Sequence, residues 1–206
     1  SAASDVYKRQ LKNVIVQTMM RIIPPQPLKP GGKFSFSVDW SFNIIDATKI
    51  RSRMGYEFFK EDKNHLYALA QWFPRMCAYT DVTGWQNKQF LGTGEFALEF
   101  GDYLVRITAP ADHIVASTGE LQNPEAVLTK TQRDRLAKAS DAKKPVFIVT
   151  LDEAKANEKE KAKGKKTWIY KADNVRDFAW CSSRKFLWDA MGMDLNGKKI
   201  MCMSYW

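Results

Sequence analysis

The sequence predicts a mostly β protein, an antiparallel sandwich or curved sheet that carries one small helical insertion. Roughly ten short apolar runs are separated by Gly, Pro and Asp, a pattern typical of strands joined by turns. Helical patterning with capping signals is confined to residues 123–164. The chain shows no internal repeat and no low-complexity linker, so we expect one β domain.

The two ends of the chain do not resemble the ends of a complete domain. Residues 1–10, "SAASDVYKRQ", resemble translated adaptor sequence, so we exclude them and assign the β domain to residues 11–206. Strand-like runs, "LKNVIVQTMM" and "IMCMSYW", stand at the two limits of that range. We therefore expect the chain to be a fragment of a longer protein.

The first third of the domain predicts strands around proline-rich and irregular segments. Residues 11–23 read as one strand that ends at a run of prolines and the turn Gly31-Gly32. Residues 33–44, "KFSFSVDWSFNI", alternate apolar and polar side chains with the period of a half-buried strand. Residues 45–55 lose this pattern and predict a loop, and "YEFF" and "HLYALAQWF" predict two short strands.

Three further β runs follow in the middle of the chain: "GEFALEFG", "DYLVRITAP" and "HIVASTGEL". Gly101-Asp102 stands between the first two and is a hairpin signal. Near the end, "KTWIYKAD", "VRDFAWCSSRKFLWDAMG" and "KKIMCMSYW" predict the last strands. The strands thus flank the helical insertion on both sides.

Capping residues predict two helices with one strand, "PVFIVT", between them. In "NPEAVLTKTQRDRLAKAS", Asn123 is a candidate N-cap and Pro124 suits the first helical position. Thr150 and Glu153 have the spacing of a capping box at the start of the second helix. Gly164 stands where a C-cap glycine would end that helix.

Composition excludes several classes of protein. Hydrophobic residues make up 45% of the chain and aromatic residues 13%, enough to bury a core. No apolar run approaches the roughly 18–20 residues of a transmembrane helix. The three cysteines are odd in number and widely spaced, which argues against a disulfide framework or a zinc knuckle. We interpret Cys77, Cys181 and Cys202 as buried free thiols.

Positive charge is concentrated around the helical insertion. Residues 129–171 contain 13 Lys and Arg against 6 Asp and Glu, a net +7 out of the +9 of the whole chain. A charge run on a surface helix is usually a solvated face, so we predict no nucleic-acid partner. The alternative is a basic domain that binds nucleic acid through Lys163, Lys165, Lys166 and neighbouring aromatic rings.

No complete catalytic set is visible. His65 and His113 lie outside any HExxH motif and have no partner at a metal-ligand spacing, so we interpret both as packing or surface histidines. There is no G-x-S-x-G elbow, and Gly-Thr-Gly at residues 92–94 is too short to predict a phosphate loop. The sequence therefore predicts no catalytic residue, no metal ligand and no cofactor in this chain.

The stretch "AQWFPRMCAYTDVTGWQNKQF", residues 70–90, is the candidate site because it has many aromatic residues but little regular periodicity. Its candidate residues are Gln71, Trp72 and Phe73 for substrate binding, and Arg75, Asp81 and Trp85 for the structure of the loop. As structure alone, the stretch would plug the open end of a sandwich. As a site, it would present the Gln71 amide at the rim of an aromatic pocket.

Four motifs are specific when taken together: the "QWFP" stretch, "EFALEFGDY", "ASTGEL" and "VRDFAW". They resemble the N-terminal domain of the aminopeptidase N family of zinc metallopeptidases, bacterial subgroup, over residues 14–206. In that family the domain is a saddle-like β-sheet packed on a catalytic domain that carries HExxH, a distal zinc-binding Glu and a Gly-x-Met-Glu-Asn motif. The resemblance implies that zinc binding and hydrolysis belong to the missing catalytic domain, which is the intramolecular partner. This fragment alone should be inactive.

The resemblance also implies roles in the candidate site. Gln71 matches a glutamine that reaches the first substrate side-chain pocket and helps bracket the free amino terminus of a peptide substrate. Phe73 stands where the family often has an acidic or amide residue, which implies a more apolar wall and a preference for hydrophobic or aromatic first residues. Asp81 matches a structural aspartate, although its spacing from Gln71 is shorter. In the parent, zinc would lower the pKa of a bound water and a glutamate would take its proton.

A β-sandwich module that binds carbohydrate or protein is the alternative from a different class. Trp72, Trp85 or Trp168 would then stack on sugar rings. An HExxH motif within about a hundred residues after Trp206 would decide for the peptidase. Relatives of this subgroup often carry export signals, so the resemblance favours the bacterial cell envelope, the periplasm, for the parent.

Overall fold

The computed structural model describes residues 2–5, 9–50, 52, 54–92, 96–159 and 161–206. These residues form a mostly β, antiparallel fold with a small helical insertion, which confirms the predicted fold class. The strands are β1 (Ala2–Asp5), β2 (Lys12–Val16), β3 (Met19–Ile23), β4 (Phe36–Asp39), β5 (Gly55–Phe59), β6 (Asn64–Leu69), β7 (Tyr79–Thr80), β8 (Gly84–Trp85), β9 (Gly101–Pro110), β10 (Ile114–Ser117), β11 (Glu120–Leu121), β12 (Val146–Val149), β13 (Lys165–Val175), β14 (Trp180–Ser183), β15 (Trp188–Leu195) and β16 (Lys198–Tyr205). The helices are α1 (Pro124–Val127), α2 (Lys130–Ala139) and α3 (Leu151–Lys159).

The chain divides into two compact units. Unit 1 comprises Ser1–Asn43 and Phe73–Glu99, and unit 2 comprises Ile44–Trp72 and Phe100–Trp206. The described part of unit 1 contains three two-stranded antiparallel pairs, β1 with β4, β2 with β3 and β7 with β8. Strand β1 belongs to the segment that we excluded from the sequence prediction, of which residues 1 and 6–8 are outside the described residues.

Unit 2 contains three larger antiparallel sheets. Their strand orders are β10-β14-β6-β5, β11-β13-β9 and β12-β15-β16. Strands β9 and β13 pair over most of their length, and helix α2 packs against β12 and β15. The core holds large side chains that are almost fully buried: Val115, Ile148, Val149, Trp168 and Phe178. Buried and exposed residues alternate along β9 and the middle of β13, so each of these strands contributes one face to the core, whereas β10 and β12 each bury two consecutive residues.

Two segments predicted as single strands are each divided in the structure. Residues 11–23 form a hairpin, β2 and β3, around a two-residue turn at residues 17–18. Residues 113–121 are divided at Gly119, which has φ +87° and separates β10 from β11. A Cβ at Gly119 would lie 2.3 Å from the carbonyl oxygen of Lys171, so only glycine fits this approach.

Two other strand predictions also need correction. In residues 33–44, only Phe36–Asp39 pairs as a strand. The hairpin predicted at Gly101-Asp102 is wrong, because β9 begins at Gly101 and continues through this dipeptide. The Asp102 carboxylate accepts a hydrogen bond from the Asn174 backbone N–H at 2.8 Å, so this polar residue supports a bulge in β13 instead of a turn. Residues 96–100 of the preceding run "GEFALEFG" are not a strand, and residues 93–95, with part of the Gly-Thr-Gly signal, lie outside the described residues.

The second helix begins as predicted but ends earlier. Glu153 accepts a hydrogen bond from the Thr150 N–H at 2.8 Å, and the Thr150 hydroxyl accepts one from the Glu153 N–H at 3.3 Å, which confirms the capping box. Helix α3 ends at Lys159, so the prediction of Gly164 as its C-cap is wrong. The Gly164 carbonyl instead accepts a hydrogen bond from Ala111, just before β13.

The first helical segment is divided into α1 and α2. Pro124 occupies the first turn of α1 as predicted, but Asn123 makes no side-chain cap. Its amide is instead used in tertiary contacts, since Asn123 donates to the Thr167 carbonyl and accepts from the Ile169 N–H. The side-chain cap is made by Thr129, which forms a capping box at the start of α2.

Candidate functional site

Gln71 lies two residues beyond β6 and has a left-handed backbone conformation with φ 55°. This conformation costs a residue with a Cβ about 1–2 kcal/mol. Within the described part of the chain, the other non-glycine residues with positive φ are Gln17, Lys63, Asn174 and Asn196. Each of these lies in a turn or a bulge of paired strands, where such backbone angles are expected. Gln71 instead lies in a loop after the last residue of β6, outside any turn or bulge between paired strands, so pairing geometry does not explain its strain.

Trp72 anchors the backbone directly after Gln71. Its indole Nε1 donates a hydrogen bond to the carbonyl oxygen of Phe178 at 3.0 Å. Its ring meets Trp180 edge-on, with 6.3 Å between the ring centroids. Trp180 is itself held in β14, opposite Leu69 of β6. Because Leu69 before Gln71 and Trp72 after it are both held in this way, the surrounding structure can maintain the strained conformation.

Phe178 is the point where the four sequence motifs meet, and we call Trp72, Tyr103, Thr118, Phe178 and Ala179 the Phe178 cluster. The Phe178 side chain is fully buried. The Tyr103 ring lies 5.8 Å from the Phe178 ring, centroid to centroid. Two hydrogen bonds join Thr118 and Ala179. The Thr118 N–H donates to the Ala179 carbonyl oxygen at 3.0 Å, and the Ala179 N–H donates to the Thr118 hydroxyl at 3.1 Å. Each motif thus contributes to one packed cluster within unit 2.

The remaining candidate residues belong to unit 1. The Arg75 guanidinium lies over the Phe73 ring, 5.8 Å from its centroid. Asp81 is exposed in the turn between β7 and β8, and Trp85 of β8 is 56% exposed with its ring edge-on to Tyr79. The predicted roles of Arg75, Asp81 and Trp85 in the structure of the loop stay predictions. The substrate-binding roles of Gln71, Trp72 and Phe73 also stay predictions.

A buried ion pair, which the sequence did not predict, holds three parts of unit 2 together. Arg184 donates from Nε and Nη2 to the two carboxylate oxygens of Asp112, at 3.0 and 3.2 Å, and from Nη1 to the Asn64 side-chain oxygen at 2.9 Å. Both charged side chains are 8% exposed. Burial alone would raise the pKa of the Asp112 carboxyl, but the hydrogen bonds from Arg184 and from the Ala162 N–H outweigh it and lower the pKa.

The other buried polar pair is His113 with Ser182. His113 Nδ1 and the Ser182 hydroxyl are 2.7 Å apart, and the residues are 4% and 1% exposed. Burial, together with the nearby Arg184 cation, lowers the pKa of His113 to about 4, so the ring is neutral at pH 7. A substrate cannot reach a pair buried this deeply, and the neighbouring Asp112 is occupied by Arg184. The pair is therefore structural, which confirms His113 as a packing histidine.

The sequence did carry a weak signal for the buried network. Asn64, Asp112 and Arg184 each stand at an end of an apolar run that predicted a strand. Polar residues at strand ends are usually assigned to solvated turns, so the pattern alone favoured exposure. Only the sheet order β10-β14-β6-β5, which the sequence does not specify, brings these strand ends together.

Several other sequence predictions can be checked against individual residues. Trp168 is 1% exposed and cannot stack on a sugar, so its predicted role in a carbohydrate site is wrong. The three cysteines are free as predicted, but none is fully buried: Cys77 and Cys181 are half-buried, and Cys202 is exposed because it lies on β16 at the edge of its sheet. The described residues contain no group of three or more His, Cys, Asp or Glu that could hold a metal ion. None of the helices in the described ranges is long and apolar enough to cross a membrane.

We compared the chain with protein-family models, with curated proteins and with solved structures, and none of the three comparisons gives a match. Function must therefore be argued from the residues themselves. The observations that bear on it are the strained Gln71, the Phe178 cluster and the exposed surfaces of each unit.

Proposed function

We propose that this chain is the non-catalytic N-terminal domain of a zinc metallopeptidase that removes N-terminal amino acids from peptides. In this proposal, the chain shapes the substrate pocket and docks on a catalytic domain that holds the zinc. The resemblance of the four motifs to the aminopeptidase N family suggests the class. The meeting of those motifs in one cluster supports the idea that they form a single structural unit.

The observation that carries the proposal is the conformation of Gln71. Strained backbone conformations cluster at functional sites, and pairing geometry does not explain the strain at Gln71. The Trp72 anchor places this strain next to a rigid aromatic cluster, and a rigid support is what a substrate-positioning side chain requires. A glutamine amide can both accept a hydrogen bond from a protonated amino terminus and donate one to a peptide carbonyl.

An exposed apolar surface in unit 2 supports docking on a further domain. One face of the β12-β15-β16 sheet carries large apolar side chains that are 39–61% exposed: Phe147, Met193, Leu195, Ile200 and Trp206. We call these residues the outer sheet patch. Contiguous apolar surface of this kind usually marks an interaction site. Covering this patch is the role that the proposal gives to the catalytic domain.

The proposed division of chemistry follows from the side chains present. The catalytic domain would supply the zinc, which activates a water for attack on the peptide carbonyl. The residues of this chain would bind and orient the substrate. Gln71 would hydrogen-bond the first residue of the peptide.

The test is a selectivity assay on the full reading frame with two matched glycine variants. Gln71→Gly removes the amide, whereas Gln17→Gly removes the glutamine of the β2–β3 turn, which has nearly the same φ of 52°. We expect Gln71→Gly to change the ratio of kcat/KM between leucyl- and alanyl-nitroanilide about tenfold, the value of one substrate hydrogen bond. Gln17→Gly should leave the ratio within about twofold. An unchanged ratio in Gln71→Gly would remove Gln71 from the substrate pocket.

A carbohydrate-binding module remains a second candidate because of one observation. Trp85 is 56% exposed and its ring is braced by Tyr79 at 5.3 Å, an arrangement suited to stacking on a sugar ring. Retention of the chain on insoluble polysaccharide, with loss of retention in Trp85→Ala, would favour this function. No retention on cellulose, chitin or xylan would exclude it for these sugars.

A further inference from the structure

Unit 2 contains an open pocket that the proposed function does not use. Its volume is about 570 Å³, which is within the usual range of roughly 300–1,000 Å³ for small-molecule sites. The lining residues are Asp46, Thr48, Lys49, Tyr56, Phe58, Lys60 and His65. Among the residues that the structure describes, all of these lining residues lie between positions 46 and 65.

The floor of the pocket is an aromatic surface on strands β5 and β6. Tyr56 and Phe58 lie on the same face of β5, and Phe58 is paired directly with His65 of β6. The His65 ring centroid is 4.8 Å from that of Phe58 and 5.5 Å from that of Tyr56. Phe58 is 42% exposed although it lies on a strand face beside two other rings. Such a surface is suited to stacking against a flat ring.

One wall of the pocket is a single turn that is fixed by Asp46. The Asp46 carboxylate accepts hydrogen bonds from the N–H and the hydroxyl of Thr48, at 3.0 and 2.6 Å. The backbone of this segment bonds to β5, since Ala47 donates to the Tyr56 carbonyl at 2.9 Å. The wall is therefore preformed, and a ligand would not have to order it.

The charges around the pocket are unequal. Lys49 pairs with the Asp46 carboxylate at 3.2 Å. Lys60 lies in the turn directly after β5 and also lines the pocket, and it has no ion-pair partner among the residues that the structure describes. Two lysines and one aspartate thus line the pocket together with the aromatic floor. This arrangement favours a ligand that carries a negative charge next to its ring.

We propose that this pocket binds a small molecule made of a flat aromatic ring with an attached phosphate or carboxylate group. The ring would stack on Phe58 and His65, and the anionic group would pair with Lys60. A neutral sugar would leave Lys60 unused, and a bare inorganic anion would leave the aromatic floor exposed. The combination of ring and charge is therefore the property that the pocket selects.

Ligand-observed NMR titration of the 206-residue chain at low salt tests this proposal. The probes are adenosine monophosphate, which carries a phosphate, and indole-3-acetate, which carries a carboxylate. Adenosine and ribose 5-phosphate are the matched controls with only the ring or only the charge. We expect one or both of the first two to bind at least about tenfold more tightly than either control, since stacking and one ion pair each contribute about a factor of ten. Binding of adenosine monophosphate would show that the pocket accepts a phosphate, and binding of indole-3-acetate would show that it accepts a carboxylate.

Matched variants assign the binding to the pocket. Phe58→Ala and Lys60→Gln should each weaken the binding of that probe about tenfold. Phe100→Ala, at a ring that is 61% exposed elsewhere in unit 2, and Lys144→Gln, at an exposed lysine, should leave it unchanged. Two results would overturn the proposal. In the first, neither anionic probe binds at concentrations up to about 5 mM. In the second, binding persists in both pocket variants. Equal affinity for adenosine and adenosine monophosphate would overturn the role given to Lys60.

Discussion

The two units of the chain differ in how they are stabilised. In unit 2, three sheets surround large buried side chains such as Trp168 and Phe178, and a buried ion pair joins the strand ends. In the described part of unit 1, the buried apolar residues are Ala3, Leu11 and Ala78, and most of these are small. The apolar side chains of its β2 strand, Val14, Ile15 and Val16, are 50–56% exposed. Unit 2 therefore holds a core of its own, whereas unit 1 holds very little.

This contrast bears on where function can reside. A rigid unit can hold a strained residue such as Gln71, because the packing around it resists relaxation. A unit with few buried contacts opens easily, and its exposed apolar residues are available to other surfaces. The proposed function accordingly depends on unit 2 to hold Gln71 in position. Four substitutions or changes of condition test the contrast, and they follow in order of decreasing effect.

The largest effect is expected for Arg184→Met. This change leaves the Asp112 carboxylate buried without its partner, which costs about 3–5 kcal/mol of the free energy of unfolding. Urea denaturation measures the loss. Arg106→Met, at an exposed arginine of β9, is the control and should change stability by about 0.5 kcal/mol or less. Adding Asp112→Leu to Arg184→Met should recover part of the loss, and no recovery would mean that the unpaired charge is not its cause.

The next largest effect is a dependence of the free energy of unfolding on pH, which comes from His113. Its folded-state pKa of about 4 lies below its ordinary value of 6.5. Between these pH values the unfolded state binds a proton that the folded state excludes, so stability falls as the pH falls. The free energy of unfolding should decrease by about 2 kcal/mol from pH 7 to pH 5 through this residue. His113→Gln should flatten that slope, and an equally steep slope in the variant would assign it to another group.

The direct comparison of the units uses the same small substitution in each. Ile148→Val in the buried strand β12 should cost about 0.5–1.5 kcal/mol. Ile15→Val in β2, where the side chain is 51% exposed, should change stability by less than about 0.5 kcal/mol. Thermal and urea unfolding of both variants provide the measurement. Equal costs at the two positions would contradict the claim that only unit 2 has a substantial core.

The smallest effect is a gain of stability in Gln71→Gly. Glycine removes the left-handed strain of about 1–2 kcal/mol but adds about 0.5–1 kcal/mol of chain entropy to the unfolded state. The variant should therefore be about 0.5–1 kcal/mol more stable than the original chain. Gln71→Ala keeps the strain and should show no gain. A loss of stability in Gln71→Gly would mean that the Gln71 side chain itself holds the loop.

The sequence predicted the elements of unit 2 more successfully than their connections. The run "DYLVRITAP" and the capping box of Thr150 and Glu153 depend on local patterns, and both are present in the structure. The Gly101-Asp102 hairpin failed because a turn dipeptide is also compatible with a strand opposite a bulge. Asn123 was misassigned because its amide bonds to β13, some 44 residues away.

The candidate site was predictable only in part. Local composition identified the stretch around Gln71 and Trp72, because aromatic residues without periodicity are visible in a sequence. The left-handed backbone of Gln71 and the bond from Trp72 to Phe178, 106 residues away, depend on strand pairing that no local pattern encodes. The pocket at Phe58 and Lys60 was missed for the same reason. Its floor requires the register of β5 against β6, which places His65 opposite Phe58.

The most direct test of the proposed function is recovery of the full reading frame and assay of its product on aminoacyl-nitroanilides. We expect an HExxH motif downstream of Trp206 and release of nitroaniline that stops when zinc is removed and returns when zinc is restored. The 206-residue chain alone should release none. A reading frame without HExxH whose product releases nothing, with or without zinc, would contradict the proposal and leave the stretch around Gln71 as a structural loop or a binding surface.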